Sequence, residues 1–326
     1  MKAMKADIKE REKITTYFIL GTLELRKSKN QQQFLSVSLS DRTGSIRGYL
    51  WKGAEAAAAT LKENSLVKVR GLAKKVGDSL TIEIERIREA MKDEVDMQDL
   101  LEIVQGGVEL WQGKLTETIR SIKGKECRRL IDTFLSDAGF YEQFIKAPGG
   151  VTVHHNYVGG LLEHTVSTMS LASLTADRYP LLDKDLLMTG AFLHDIGKTK
   201  ELFYDMARDY TTEGKLLGHI LLGISMIEER ISRLQNFPED IALDLKHMII
   251  SHHGEPDFGS PVRPATPEAL ALHMIDNADA KLNHLNCHLK NSNEADLWSH
   301  FDRFLKTAIY QGKREGNQTD NEDIAA

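Results

Sequence analysis

Five histidines and two aspartates interrupt apolar, helix-periodic segments in the second half of this 326-residue chain. His164 follows GLLE. His194 and Asp195 close GAFLHD, and His219 lies in the first turn of LLGHILLG. His252 and His253 end MIISHH, and Asp276 falls on the apolar side of ALHMIDNADAKLN. All twelve histidines of the chain lie after residue 150. Taken singly, a histidine on a helix is more often structural or solvated than a ligand. Seven polar residues in apolar settings change that weighting, because each would be costly to bury without a partner and one metal centre satisfies them all. Imidazoles with carboxylates suit Mn²⁺, Fe²⁺, Co²⁺ or Zn²⁺ better than Mg²⁺, which prefers oxygen. Seven candidates exceed the four ligands of a closed structural site. Two ions bridged by Asp195 are therefore expected. Such a pair acidifies a bound water and clamps the attacking and leaving oxygens of a phosphoryl group. Lys198, one turn beyond Asp195, is placed to meet a phosphate as a point charge. Asp195 and Lys198 are the expected catalytic residues, and Gly197 is expected to turn the chain away from the site.

The remaining polar residues divide less sharply. His154, His155 and Tyr157 precede the helix of His164 and are expected at the substrate entrance, with Tyr157 as a stacking surface. Glu163 reads as a surface or supporting carboxylate. His247, His273, His284, His288 and His300 read as structural or solvated.

Elements able to position these residues follow from periodicity. From Val108 onward the 3.6-residue period dominates, giving a helical domain over 108–310 and a polar tail over 311–326. The first part is different. FLSVSLSDRTGSIRGYLW alternates apolar and polar residues about an Asp-Arg-Thr-Gly turn, and GAEAAAATLKEN forms a short helix. SLVKVRGLAKKVGDSLTIEIERI supplies two more strands about Gly77-Asp78. With the strand-like pattern that begins at Tyr17 as the first, the order is three strands, a helix and two strands, that of an OB-fold, a five-stranded barrel, assigned here to residues 12–90. Residues 91–107 are acidic, end in two glycines and read as a linker with a short helix. The fold class is thus multidomain: a small all-β barrel followed by an all-α domain.

Charge separates the same two parts. Residues 1–90 hold 18 Lys/Arg against 11 Asp/Glu, a balance of +7, whereas the rest holds 24 against 37, a balance of −13. Lys27, Lys29, Arg47, Lys52, Lys68, Arg70, Lys74 and Lys75 are interleaved with Phe34, Tyr49 and Trp51. Cations that follow a phosphate backbone, with aromatic faces for bases, are what single-stranded nucleic acid requires. Phe34, Tyr49, Trp51, Lys68 and Arg70 are therefore candidate substrate-binding residues, although each aromatic taken alone also fits a barrel core.

Other classes recede. The start, MKAMKADIKEREK, has no apolar stretch of the kind a secretory signal carries, and no run of 18 apolar residues suggests a membrane span. Two cysteines without a C-x-x-C motif fit a reducing, cytoplasmic setting. There is no GxxxxGK[ST] loop, HExxH helix or GxSxG turn.

His164, then His194-Asp195, then Asp276 resemble the defining pattern of the HD-domain phosphohydrolases, and His219 with His252-His253 resembles their two-metal branch. In that branch the last aspartate opens an Asp-x-x-Asp-Ala run, here Asp276 to Ala280, so the resemblance makes Asp276 the ligand rather than Asp279. A barrel followed by HHNYVGGLLEHT, LHDIGKTKE and HMIDNADAKLN resembles the YhaM-type bacterial 3′→5′ exoribonucleases across about residues 12–310. The resemblance implies an all-helical catalytic domain, two Mn²⁺ ions and a single-stranded RNA or DNA substrate, RNA favoured. It also implies hydrolysis from the 3′ end to nucleoside 5′-monophosphates. A homo-oligomer is compatible with it. Two other classes remain open from the residues alone: hydrolysis of a small nucleotide, either a cyclic dinucleotide or a nucleoside triphosphate, and a nucleic-acid-binding regulator with a structural metal.

Overall fold

The computed structural model describes residues 4–28, 30–77, 79–95, 99–150, 155–204, 208–290, 292 and 296–312. Lys29, Asp78, His154 and the greater part of the polar tail lie outside these residues.

Strand alternation in the first part produces a closed barrel. Its strands are β1 (Lys13–Lys27), β2 (Gln33–Asp41), β3 (Gly44–Leu50), β4 (Ser65–Val76) and β5 (Ser79–Glu89), with helix α1 (Ala54–Thr60) between β3 and β4. The order around the barrel is β1-β2-β3-β5-β4. Only the β3–β5 contact is parallel, with Tyr49 beside Glu83. Leu35, Val37 and Leu39 of β2 alternate inward with Ile46 and Leu50 of β3. They meet Phe18, Leu20, Val67, Val69, Ile82 and Ile84 in one core. This is the expected OB-fold order.

Residues 91–107 do more than connect. The described residues here include a 3-10 turn, Lys92–Glu94, and residues 96–98, on which the expected short helix partly falls, lie outside them. Val95 and Leu100 pack against Tyr17, Ile19 and Leu66 on the outside of the barrel. Glu94 forms hydrogen bonds to Arg88 (2.6 and 2.9 Å). Further on, Ile103 bridges to Val158 of the second domain.

The second domain is a bundle. Its helices are α2 (Val108–Arg120), α3 (Lys125–Leu135), α4 (Ala138–Lys146), α5 (Gly160–Arg178) and α6 (Lys184–Leu193). The short α7 (Lys198–Glu201) is followed by α8 (Thr212–Ser232), α9 (Glu239–Ser251) and α10 (Pro267–Lys290). The domain is largely helical as expected, and a two-stranded antiparallel sheet, β6 (Leu202–Tyr204) with β7 (Arg208–Tyr210), lies between α7 and α8. Side-chain caps start several helices where the sequence supplies Asp or Thr. Asp137 accepts from Gly139 and Phe140 at α4, Asp183 from Leu186 at α6, and Thr211 from Gly214 at α8. Leu161, Leu162, Val166 and Met169 of α5 meet Leu187, Ala191 and Phe192 of α6, and Met248, Ile249 and Leu272 beyond, in one continuous core. No helix of the described residues is long and apolar enough to cross a membrane.

Two glycines place the ends of these helices. Gly218 has φ +71° and ψ 159°, which breaks α8 so that His219 begins its own helical segment. Gly197 was expected to turn the chain, but its backbone is ordinary right-handed helix (φ −61°, ψ −22°). Its task is close approach. A Cβ there would lie 2.0 Å from the carbonyl oxygen of His219 and 2.7 Å from the nitrogen of Gly223. Backbone atoms cannot yield as a flexible side chain can. Gly197→Ala is therefore expected to separate α7 from α8, at a cost of at least about 1–3 kcal/mol for overpacking. A fall in Tm measured by circular dichroism, together with loss of His219 from the site, is the outcome to look for.

Candidate metal centre

Seven residues from five elements meet where α5, α6, α8, α9 and α10 converge. His164 is on α5, His194 and Asp195 end α6, His219 opens the second segment of α8, His252 and His253 end α9, and Asp276 is on α10. Their ligand atoms fall into two trios, each within 4.8 Å: His164, His194 and Asp276 in one, and His219, His252 and His253 in the other. Asp195 stands between the trios. Its Oδ2 lies 3.4 Å from Nε2 of His194 and 3.6 Å from Nε2 of His164, whereas its Oδ1 lies 3.5 Å from His219 and 3.8 Å from His252. One carboxylate thus turns one oxygen to each trio.

The rings are aimed by their other nitrogens. Nδ1 of His194 donates to the carbonyl of Ala191 (2.8 Å), and Nδ1 of His252 to that of Ile249 (2.6 Å). Nδ1 of His164 donates to Asp279 (2.7 Å), and Nδ1 of His219 faces Glu201 (3.3 Å). Each anchor accepts only, so it fixes a ring with Nε2 toward the centre, the usual arrangement behind a ligating histidine. The consequence is crowding of like atoms. Nε2 of His164 is 3.0 Å from Nε2 of His194, and Nε2 of His219 is 3.2 Å from Nε2 of His253. Two fully buried atoms, Oδ1 of Asp195 and Nε2 of His252, have no hydrogen-bond partner among the described residues. Buried polar atoms are rarely left so. Divalent cations would satisfy both and separate the paired nitrogens, so the donor set fits such ions.

Electrostatics agree with the geometry. Burial opposes ionisation of Asp195, but Lys198 and His194 outweigh it and hold the carboxyl well below its ordinary range. Burial likewise works against Asp276, whose contact with His164 keeps it ionised. Burial and the neighbouring His253 push His252 well down, leaving a neutral ring with a free lone pair. His164 moves the other way. Burial disfavours its charge, yet Asp276 and Asp279 together push it up to about 10. Without a cation this ring therefore holds a proton at neutral pH.

Lys198 is half-buried. Its ammonium lies 2.6 Å from Oδ2 of Asp195 and donates to the carbonyl of Gly149 (2.6 Å). The contact with Asp195 raises its pKa against the effect of burial. His155 and Tyr157 are buried at 1 % and 9 % exposure. Both ring nitrogens of His155 are engaged, with Glu163 (2.9 Å) and Asp279 (3.0 Å), so in this conformation it offers a substrate no free polar ring atom. The Tyr157 hydroxyl donates to Glu163, and the residue, 9 % exposed, lines a cavity together with His155, Glu163 and Asn283.

Sequence reasoning missed Glu201 as the anchor of His219, which also accepts from the His219 backbone N–H (3.0 Å). A carboxylate at the end of HDIGKTKE was the available signal. His273 donates to the carbonyl of His252 (2.8 Å) and so holds the turn after α9. His247 accepts from the N–H of Ala265 (2.8 Å), and His284 and His288 meet Asp302 (2.8 and 3.3 Å). His300 is exposed.

On the barrel, Phe34, Tyr49 and Trp51 lie on the outer face of β2 and the β3 end. The centroid of the Phe34 ring is 4.7 Å from that of Trp51 and 6.0 Å from that of Tyr49. Trp51 is 38 % exposed. Arg26 is the cross-strand partner of Phe34, and Arg47 lies two residues from Tyr49 on the same face. Lys68 and Arg70 are on β4, away from this cluster. The Lys68 ammonium is 4.9 Å from the Tyr17 ring centroid, and Arg70 pairs with Glu85 (3.1 Å).

Two family models and several curated proteins match this chain. The sequence model of the family described as "HD domain" matches residues 161–281, and that of an "OB-fold nucleic acid binding domain" matches residues 18–90. The 3′-5′ exoribonuclease YhaM of Bacillus licheniformis is 35 % identical over 273 residues, covering 83 % of this chain and 86 % of that protein. The protein of the same name from Bacillus subtilis gives the same identity and coverage. The second OB-fold domain of replication protein A from Methanococcus maripaludis is 25 % identical, with a TM-score of 0.25, and covers 28 % of this chain and 97 % of that one.

His252→Ala is expected to lower bound divalent ion well below the wild-type content, while His300→Ala leaves it unchanged; elemental analysis after gel filtration distinguishes them. Calorimetric titration of metal-stripped protein near pH 8 should also register release of the His164 proton. Affinity should weaken as pH falls, because protons then compete more strongly for the same nitrogen.

Proposed function

We propose a function from the premise that the chain belongs to the YhaM family of 3′-5′ exoribonucleases: it shortens single-stranded RNA from the 3′ end, releasing nucleoside 5′-monophosphates. The observation that carries the chemistry is the Asp195 carboxylate, with one oxygen toward each trio of ligand atoms. His164, His194 and Asp276 would hold one cation, and His219, His252 and His253 the other, with Asp195 shared. We assign Mn²⁺ to both positions, since imidazole-rich donor sets disfavour Mg²⁺. When bound, such ions make water a nucleophile at neutral pH and neutralise charge on a phosphoryl group.

The chain's own groups supply the rest. Lys198 carries a fixed positive charge beside Asp195, where a phosphodiester oxygen would gain negative charge. Its bonds to Asp195 and Gly149 hold the ammonium in place, so little reorganisation is needed. Asp195 stays ionised because burial is outweighed by Lys198 and His194.

The barrel supports a polymer over a small nucleotide in this reading. Phe34, Tyr49 and Trp51 form an aromatic surface outside the core, with Arg26 and Arg47 on the same side. Bases stack on such faces while cations follow the phosphates. Lys68 and Arg70 take a lesser part in this reading, because they lie on β4, away from the aromatic cluster. A small nucleotide would need no such track.

Asp195→Asn is expected to abolish release of mononucleotides from a labelled 20-mer in Mn²⁺, with the circular dichroism spectrum retained. Near-wild-type turnover with full ion content would overturn the two-ion reading. Phe34→Ala or Trp51→Ala should weaken oligonucleotide binding by about 1–3 kcal/mol. Cleavage of a short model phosphodiester should be unchanged, and wild-type binding should fall steeply with salt. Unaltered affinity for long oligonucleotides would move hydrolysis of a small nucleotide ahead.

A further inference from the structure

Behind His164, away from the two trios, lies a second polar layer. His155 is buried with φ +49°, a conformation few side chains adopt without support. Its Nε2 lies 3.0 Å from Oδ2 of Asp279, the same oxygen that accepts from Nδ1 of His164 at 2.7 Å. Its Nδ1 lies 2.9 Å from Glu163, which also accepts from the Tyr157 hydroxyl. Asn283 closes the layer: its Oδ1 accepts from the His155 backbone N–H (3.0 Å), and its Nδ2 donates to Tyr157 (3.0 Å). His155, His164 and Asp279 also bring ligand atoms within 4.8 Å of one another. A third ion there would require one imidazole, His164, to serve ions on both nitrogens. A hydrogen-bonded relay needs no such thing.

We propose that His155 is a positioning residue for the metal centre, acting through Asp279 to hold the ring of His164 with Nε2 aimed at the ions. The proposal rests on the metal reading of the first trio. A carboxylate held by a single imidazole can swing about its own side-chain bonds. Two imidazoles on one oxygen, from chain segments on either side, remove that freedom. The relay is in turn tied to the rest of the molecule by backbone. The carbonyl of His155 accepts from the N–H of Gly149 (2.8 Å), and the carbonyl of Gly149 accepts from Lys198 (2.6 Å). Val158, three residues on, donates to Glu102 (2.9 Å) and accepts from Val104 (2.9 Å) of the interdomain segment. The segment that packs on the barrel therefore also holds the loop that holds His164.

The test is calorimetric titration of Mn²⁺ into the metal-stripped, full-length protein and three variants. His155→Ala and Asp279→Asn are expected to weaken ion binding 10- to 100-fold, the usual effect of removing a ligand's outer partner. His155→Gln keeps a donor near Asp279 and should recover part of the loss. At millimolar Mn²⁺ the His155→Ala protein should regain most of its kcat, since ion affinity and not chemistry is impaired. Melting curves identify any variant that fails to fold, and Asp279→Asn, the near-isosteric change, then decides the matter. A wild type that takes up Mn²⁺ while the folded variants match it overturns the relay alone. A wild type that takes up none overturns the metal reading and the relay together.

Discussion

A buried carboxylate with cationic and imidazole groups on both sides is the constraint on which this structure depends. Asp195 is 2 % exposed, and an ion so placed is tolerated only with close, well-oriented partners. Lys198 supplies a full charge at 2.6 Å, and four imidazole Nε2 atoms lie within 3.8 Å of one or other oxygen. The end of α6, the start of α7, the break in α8 and the end of α9 are each arranged around this one side chain. The tight backbone contact at Gly197 belongs to the same arrangement, since it fixes how near His219 comes.

Helix ends serve two purposes here. The last carbonyls of a helix lack partners within it. His194 and His252, each at the end of its helix, donate Nδ1–H to the carbonyl three residues earlier. One bond satisfies a terminal carbonyl and also fixes the ring with Nε2 outward. His164, in the second turn of α5 and away from its C-terminal end, has no such free carbonyl at hand, and the carboxylate of Asp279 takes that place. His219 follows a helix break and uses Glu201. The anchors differ because the local backbone differs, and the outcome is the same.

The two domains keep separate apolar cores, one inside the barrel and one among the helices. Residues 91–107 bind to both. Val95 and Leu100 cover the outside of the barrel, and Ile103 pairs with Val158 near the metal centre. Packing at one end and a backbone bridge at the other tie the segment to both cores.

Much of this was determined by the sequence alone. Alternation in residues 12–90 prescribed five strands and a helix in OB-fold order, and seven polar residues in apolar helices could be reconciled only by gathering them. Which atoms gather was decided by tertiary structure. Periodicity tells which face of a helix a histidine occupies, but not which ring nitrogen points inward. That choice is made by partners remote in the chain, such as Asp279, which lies 115 residues from His164. The same holds for His155, whose neighbours in sequence suggested a substrate entrance while its neighbours in space made it part of a buried layer. The strands Leu202–Tyr204 and Arg208–Tyr210 interrupted an otherwise helical period, and three residues per strand are too few to establish a period of two. Phe34, Tyr49 and Trp51 could have filled the barrel or faced outward, for an aromatic residue suits either side of a strand. Closure of the barrel decided it, because Leu35, Val37 and Leu50 already fill the interior and the next residue along each strand must face out.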